Sequence, residues 1–417
     1  MSASAIWDAM DPVLEAPGRR ADRGSGGADA PGEGSADRIG APPPEAGDRL
    51  VGRLRRGAGL GGLLWVALLT RVLDGGGQNG DVARLLLLAV LVLLPLGLAL
   101  LAEAGGAEAI RFANPALGLV LPAAGWLVAA SLLRPTGLGS GMLAAPWLGV
   151  AAWVLGAALW RSPARGWLEW RRGSGGPRVG GSGRPRLGGS GLAALLEIAR
   201  LTALLFWLVG AAWLLASRLD LHLGYGPLIA RLTAAHFHVA GFAATLLAWR
   251  MGLERVGGRR PAERGASVAV GLALLAVPLG MPLVAGGIML GGRSGPARIL
   301  ELAGSGLLTI GLLALALQQA LGIASRFDRP GASWLMRGSS ASLVVSMPLA
   351  FAYAMRLPGL DIPRMLAWHA RLNVLGFALC GLLAWTLEAR ASRPSTGRLP
   401  GSAAGHRAGA RASDRKP

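Results

Sequence analysis

Cysteine is almost missing from this chain. The 417 residues hold one, Cys380, so no internal disulfide framework exists and thiols say nothing about the redox compartment. Acidic side chains are scarce, 23 Asp and Glu against 42 Lys and Arg, which leaves a formal charge of +19. Gly-rich phosphate loops, Cys-x-x-Cys pairs, His-Glu-x-x-His and nucleophile elbows are all absent, so none of these motifs assigns the chain an enzymatic chemistry. The first fifty or so residues have no apolar core of the kind a cleaved signal peptide needs, and membrane insertion is expected to rely on an internal span.

What the chain has in abundance is apolar sequence. With 52% hydrophobic residues and a mean hydropathy of +0.47, it is far too apolar for a soluble domain of its length. The basic residues are nearly all Arg in the short gaps between apolar runs, a placement that speaks of membrane topology and lipid headgroups rather than nucleic acid. The Arg/Gly stretch from Gly173 to Pro185 carries no aromatic side chain on which a base stacks.

Apolar runs fall at about 60–73, 83–102, 116–133, 144–160, 193–215, 228–249, 266–290, 298–321, 338–355 and 364–386. Most have the roughly 17 to 25 residues that a helix needs to cross the hydrocarbon layer. The expectation is an all-α polytopic bundle of about ten transmembrane helices. Arg-rich gaps alternate with Arg-poor ones along this series, which predicts both termini on the cytoplasmic side. Residues 1–48 and 389–417 are expected to be disordered tails, and 161–192 a flexible basic linker. That linker divides a four-helix membrane segment, 57–160, from a six-helix segment, 193–388.

Two stretches place ionisable groups where they are expensive and therefore ask for a partner or a purpose. The first runs Leu232-Thr233-Ala234-Ala235-His236-Phe237-His238-Val239-Ala240-Gly241-Phe242, the second Trp368-His369-Ala370-Arg371-Leu372-Asn373-Val374-Leu375-Gly376-Phe377; together they hold three of the five histidines. On a regular helix residues two apart point to nearly opposite sides, so His236 and His238 need different partners. His369 and Asn373, at i and i+4, share a face, and Arg371 lies on a different one. At 1.5 Å per residue, His236 lies about 12 Å and Asn373 about 13 Å below the outer ends of their spans, so the two polar groups are level. A polar cluster of His236 or His238 with His369, Asn373, Arg371 and Thr233 is therefore expected. Arg371 at that depth asks for a carboxylate, carbonyls or water, and Glu197, Glu301 and Asp361 are the available acids. Pro278, Pro282 and Gly286 mark a candidate broken-helix region in the seventh run.

On the His-Phe-His block, on Asp361-Ile362-Pro363-Arg364-Met365 leading to His369, and on Leu372-Asn373-Val374-Leu375-Gly376-Phe377, the chain resembles the YndJ-like family of bacterial multi-pass membrane proteins. The resemblance covers about residues 80 to 388. It departs at Ala370 and Arg371, where the family prefers Gly and an uncharged residue. Members are in places labelled transporters; the resemblance implies a bacterial plasma (inner) membrane and no substrate. The block from His369 to Gly376 is also similar, over a shorter stretch, to histidine helices of haem-copper-oxidase-like proteins.

Three readings of function follow. The first is a transporter-like protein for an unassigned small molecule or ion, with no bound cofactor and with the lipid bilayer as its partner. The second is a redox or sensor protein holding haem or copper on His236, His238 and His369. The third is a structural or regulatory membrane protein without small-molecule chemistry. No acidic residue sits at mid-span, where a proton- or sodium-coupled relay usually has one.

Overall fold

The computed structural model of the chain describes residues 44–71, 73, 76–104, 116–160, 190–221, 223–257, 264–291 and 295–391, all within one compact unit, Pro42–Pro417. Every regular element among them is helical. In chain order these are α1 (Pro44–Leu68), α2 (Gly77–Ala104), α3 (Leu117–Leu132), α4 (Leu138–Trp160), α5 (Ser190–Arg218) and α6 (Pro227–Glu254), followed by α7 (Arg264–Met289), α8 (Gly295–Arg326), α9 (Pro330–Ala354) and α10 (Ile362–Ala389). Eight of them, α2 and α4 to α10, are long and apolar enough to cross a membrane, and α3 is a shorter apolar helix of 16 residues. The chain is thus a multi-pass membrane protein.

Local signals set several helix starts. Pro227 and Pro330 stand in the first turns of α6 and α9, where the missing N–H costs no hydrogen bond. The Asp361 carboxylate accepts from the backbone N–H of Arg364 at 2.9 Å and caps α10. The amino-terminal boundary differs from expectation. α1 begins at Pro44 and includes Arg49, Arg53, Arg55 and Arg56, residues that the charge pattern placed outside the membrane segment. The reason is an apolar face: Leu50, Val51, Leu54 and Ala58 are buried, and Arg55 reaches Glu103 at the far end of α2 in an ion pair of 2.6 Å. The linker interior (161–189) and the tails before 44 and after 391 lie outside the described residues.

α2 is the innermost helix, buried throughout its apolar window. A helix apolar on every side has no face for water and takes the centre of a bundle. It touches α1, α3, α6 and α10. The outer helices turn large apolar side chains outward, among them Trp126, Leu205, Leu272, Ile310 and Val344, a surface that lipid covers and water does not. Because lipid tails are as apolar as Leu, helix association in a membrane depends on close packing. The α7–α8 pair shows this: a Cβ on Gly287 would stand 2.5 Å from the Glu301 nitrogen, and one on Gly304 2.6 Å from the Val284 nitrogen.

Candidate functional site

π-helical turns run through both histidine blocks, Phe237–Ala243 directly after His236 in α6 and Leu366–Ala370 with Leu372–Leu379 in α10. Such turns insert an extra residue into the helical repeat and often accompany functional sites. Their side chains line or flank two different environments.

His238 points into a sealed seam against α4 and α5 and is fully buried. Its Nδ1 lies 2.8 Å from the Ala234 carbonyl oxygen, which can only accept, so this nitrogen carries the proton. Its Nε2 then accepts from the indole N–H of Trp147 at 3.0 Å. Trp147 packs edge-on against Trp207 with centroids 5.5 Å apart, and Trp207 against Phe242 at 6.3 Å. Gly210 on α5 is the close approach that admits the imidazole, since a Cβ there would fall 2.6 Å from His238 Nδ1.

His236, two residues earlier, faces the other way. It lines a cavity of about 300 Å³ framed by α2, α6, α7, α8, α9 and α10. The ring lies deep among the helices and is nevertheless accessible, because it borders this space instead of a neighbouring side chain. Its Nδ1 donates to the Leu232 carbonyl at 2.8 Å, and its Nε2 has no partner among the described residues.

His369 and Asn373 line the same cavity. His369 Nδ1 donates to the Ser346 carbonyl of α9 at 2.9 Å, the Ser346 hydroxyl donates to Asn373 Oδ1 at 3.2 Å, and Asn373 Nδ2 donates to the His369 carbonyl at 3.0 Å. Asn373 Nδ2 also stands 3.2 and 3.3 Å from the two ring nitrogens of His369. An in-plane approach at equal distances would collide with Cε1, so the amide sits over the ring and leaves the in-plane lone pair of Nε2 open. Thr233 borders the cavity, its hydroxyl donating to the Ile229 carbonyl at 2.8 Å.

The structure therefore brings His236, His369, Asn373 and Thr233 to one space and turns His238 away from it. Arg371 is exposed on the outer surface of the bundle, with no partner among the described residues. The three acids available to it are engaged elsewhere: Glu301 with Arg298 at 2.9 Å, Glu197 with Arg200 at 2.7 Å, and Asp361 at the α10 cap. The candidate broken-helix region is not broken. α7 continues as α-helix through Pro278, Pro282 and Gly286, and contributes Met281 and Ala285 to the cavity wall. Among the described residues no three His, Cys, Asp or Glu side chains are grouped to hold a metal. His222 and His406 lie outside the described residues.

Sequence reasoning missed Trp147, Ser346 and Gly210. Trp147 carried no signal in the sequence, since a Trp near the start of the 144–160 run has the usual interfacial placement. Ser346 carried none that separates it from the other serines of α9.

The family model described as YndJ-like protein matches residues 84–377. No curated protein and no solved structure matches the chain.

Proposed function

This chain belongs to the YndJ-like family, and from that premise we propose that it is a transporter-like protein of a bacterial plasma membrane, crossing it ten times with both termini cytoplasmic. Its ligand site is the cavity in the outer half of the bundle. The observation that carries this reading is the composition of that cavity, about 300 Å³ of mostly apolar wall drawn from six helices and furnished with His236, His369 and Asn373. Ligand sites between bundle helices have this character, apolar with a few placed polar groups.

The extent of the cavity adds support. Its lining runs from Ile229 to Ala244 on α6 and from Ile362 to Phe377 on α10. In each helix it starts in the first turn and stops after about 22 Å at 1.5 Å per residue. Beyond that level the helices close: Leu247, Met251 and Leu382 are buried, Phe327 packs edge-on to Trp385 at 5.0 Å, and the Arg250 guanidinium lies 4.1 Å above the Trp385 ring. Space at one end and closure at the other is one of the two states that alternating access requires. The Arg-rich gaps support the orientation, with the closed end cytoplasmic.

The haem- or copper-binding reading draws less support, because both ring nitrogens of His238 are already engaged. The purely structural reading accounts for His238 and leaves the open nitrogens of His236 and His369 without a role.

The test is to profile small molecules retained by the full chain in lipid nanodiscs beside an Ala285→Trp variant, whose indole fills the cavity. The expected result is at least one compound held by the wild type and lost by the variant. Identical profiles from two equally folded proteins would overturn the reading.

A further inference from the structure

We infer that the ligand of this cavity carries a hydrogen-bond donor, a hydroxyl or an amine, at the end of an apolar body, an inference that rests on the cavity being a ligand site. The polar groups around the space are unequal in kind. His236 and His369 each spend their N–H on a backbone carbonyl, Leu232 and Ser346 respectively. A carbonyl can only accept, so both rings are fixed in the tautomer whose Nε2 is an acceptor. Glu301 also lines the cavity, its carboxylate accepting from Arg298.

The donors nearby are already in use. Asn373 gives one N–H to the His369 carbonyl and turns its other toward the face of the His369 ring, and the Thr233 hydroxyl donates to Ile229. Arg298 is held by Glu301 and by the Ala354 carbonyl. The hydroxyls of Ser305 and Tyr353 serve in either sense. A carboxylate or phosphate entering this space meets at best the two hydroxyls and, among the described lining residues, no cationic side chain, whereas a hydroxyl or amine meets two fixed imidazole nitrogens. The rest of the wall is apolar, from Val82 and Leu85 of α2 to Phe377 of α10, so the body of the ligand is hydrocarbon-like.

The size follows from the volume. At roughly 30 Å³ for each water-sized group, the space takes on the order of ten heavy atoms in a chain. Decan-1-ol is therefore the probe. Radiolabelled decan-1-ol is bound to the full chain in nanodiscs, with uptake by empty discs subtracted, and is competed by decylamine, 1-methoxynonane, decanoate and decane. Decanol and decylamine are expected to compete at concentrations roughly fivefold or more below those of the ether and the alkane, the gain of about one good hydrogen bond. Decanoate is expected to be the weakest polar competitor. In His236→Phe and His369→Phe the ratio of donor to ether affinity shrinks by about the same factor, with circular dichroism and thermal unfolding in the nanodiscs reporting that each variant is folded.

The donor inference is overturned if decanoate or the ether competes as well as decanol in the wild type, or if the donors keep their advantage in both His→Phe variants. Absence of saturable binding by any of the five compounds, or saturable binding that Ala285→Trp leaves intact, instead overturns the cavity as the ligand site. Comparing decanol with decylamine in the wild type then separates a hydroxyl-bearing ligand from an amine.

Discussion

His236 and His238 are two residues apart and live in different places. On one side of α6, the seam with α4 and α5 closes around an imidazole whose two nitrogens are both satisfied, against a Trp that is itself fully buried. On the other, the same helix borders a cavity, and an imidazole held by a single backbone contact offers its second nitrogen to empty space. The contrast teaches that a polar group in a membrane helix is read by what its second hydrogen-bonding atom meets. A histidine with both nitrogens engaged is part of the scaffold, and one with a nitrogen left over is available to a ligand.

The largest effect expected from this contrast belongs to His238→Ala. It leaves the Trp147 N–H buried without an acceptor and opens a cavity, and should lower unfolding free energy by about 3 kcal/mol in an SDS-titration assay in mixed micelles. Next comes Gly210→Ala, whose Cβ would press on His238 at 2.6 Å, with an expected cost of about 2 kcal/mol. The two are coupled: in the His238→Ala background the Gly210→Ala cost should fall by more than half, and simple additivity would show that the imidazole is not what Gly210 accommodates. Trp147→Phe keeps most of the packing and loses one hydrogen bond, for about 1 kcal/mol. The smallest effect on stability is that of His236→Ala, expected within about 0.5 kcal/mol of the wild type because nothing in the folded chain depends on its Nε2. Should His236→Ala prove as damaging as His238→Ala, the distinction between seam and cavity collapses.

Much of the fold was legible in the sequence. The apolar run at 193–215 became α5, Ser190–Arg218, and the run at 228–249 became α6, Pro227–Glu254, because in a bilayer length and hydropathy are the physical constraint. The opposite directions of His236 and His238 follow from helical geometry alone, and their separate environments agree with it. The central position of α2 went unread, although its run has no polar face. Less accessible were features that depend on a neighbour far away in the chain. Trp147 meets His238 across 91 positions, and Ser346 earns its role only because α9 lies against α10. The π-helical turns leave no trace in a uniformly apolar run, where an extra residue per turn changes no hydrophobic pattern. Helical geometry put Arg371 on a different face from His369 and Asn373, as the structure has it; it was joined to the cluster only because depth along a helix says that a charge is costly, and depth does not say that a partner waits there. The early start of α1 was hidden by its arginines, which mark the membrane boundary to a charge count while the Leu50–Leu54 face packs regardless.

The most direct measurement compares thiol reactivity at the two positions. In a Cys380→Ala background, His236→Cys and His238→Cys are treated separately with a small apolar mercurial, in nanodiscs and again after unfolding in SDS. With the cavity on one side and the sealed seam on the other, His236→Cys is expected to react in the folded protein at least about tenfold faster than His238→Cys, and the two should react alike once unfolded. Equal rates in the folded state, or faster reaction at position 238, would contradict the account.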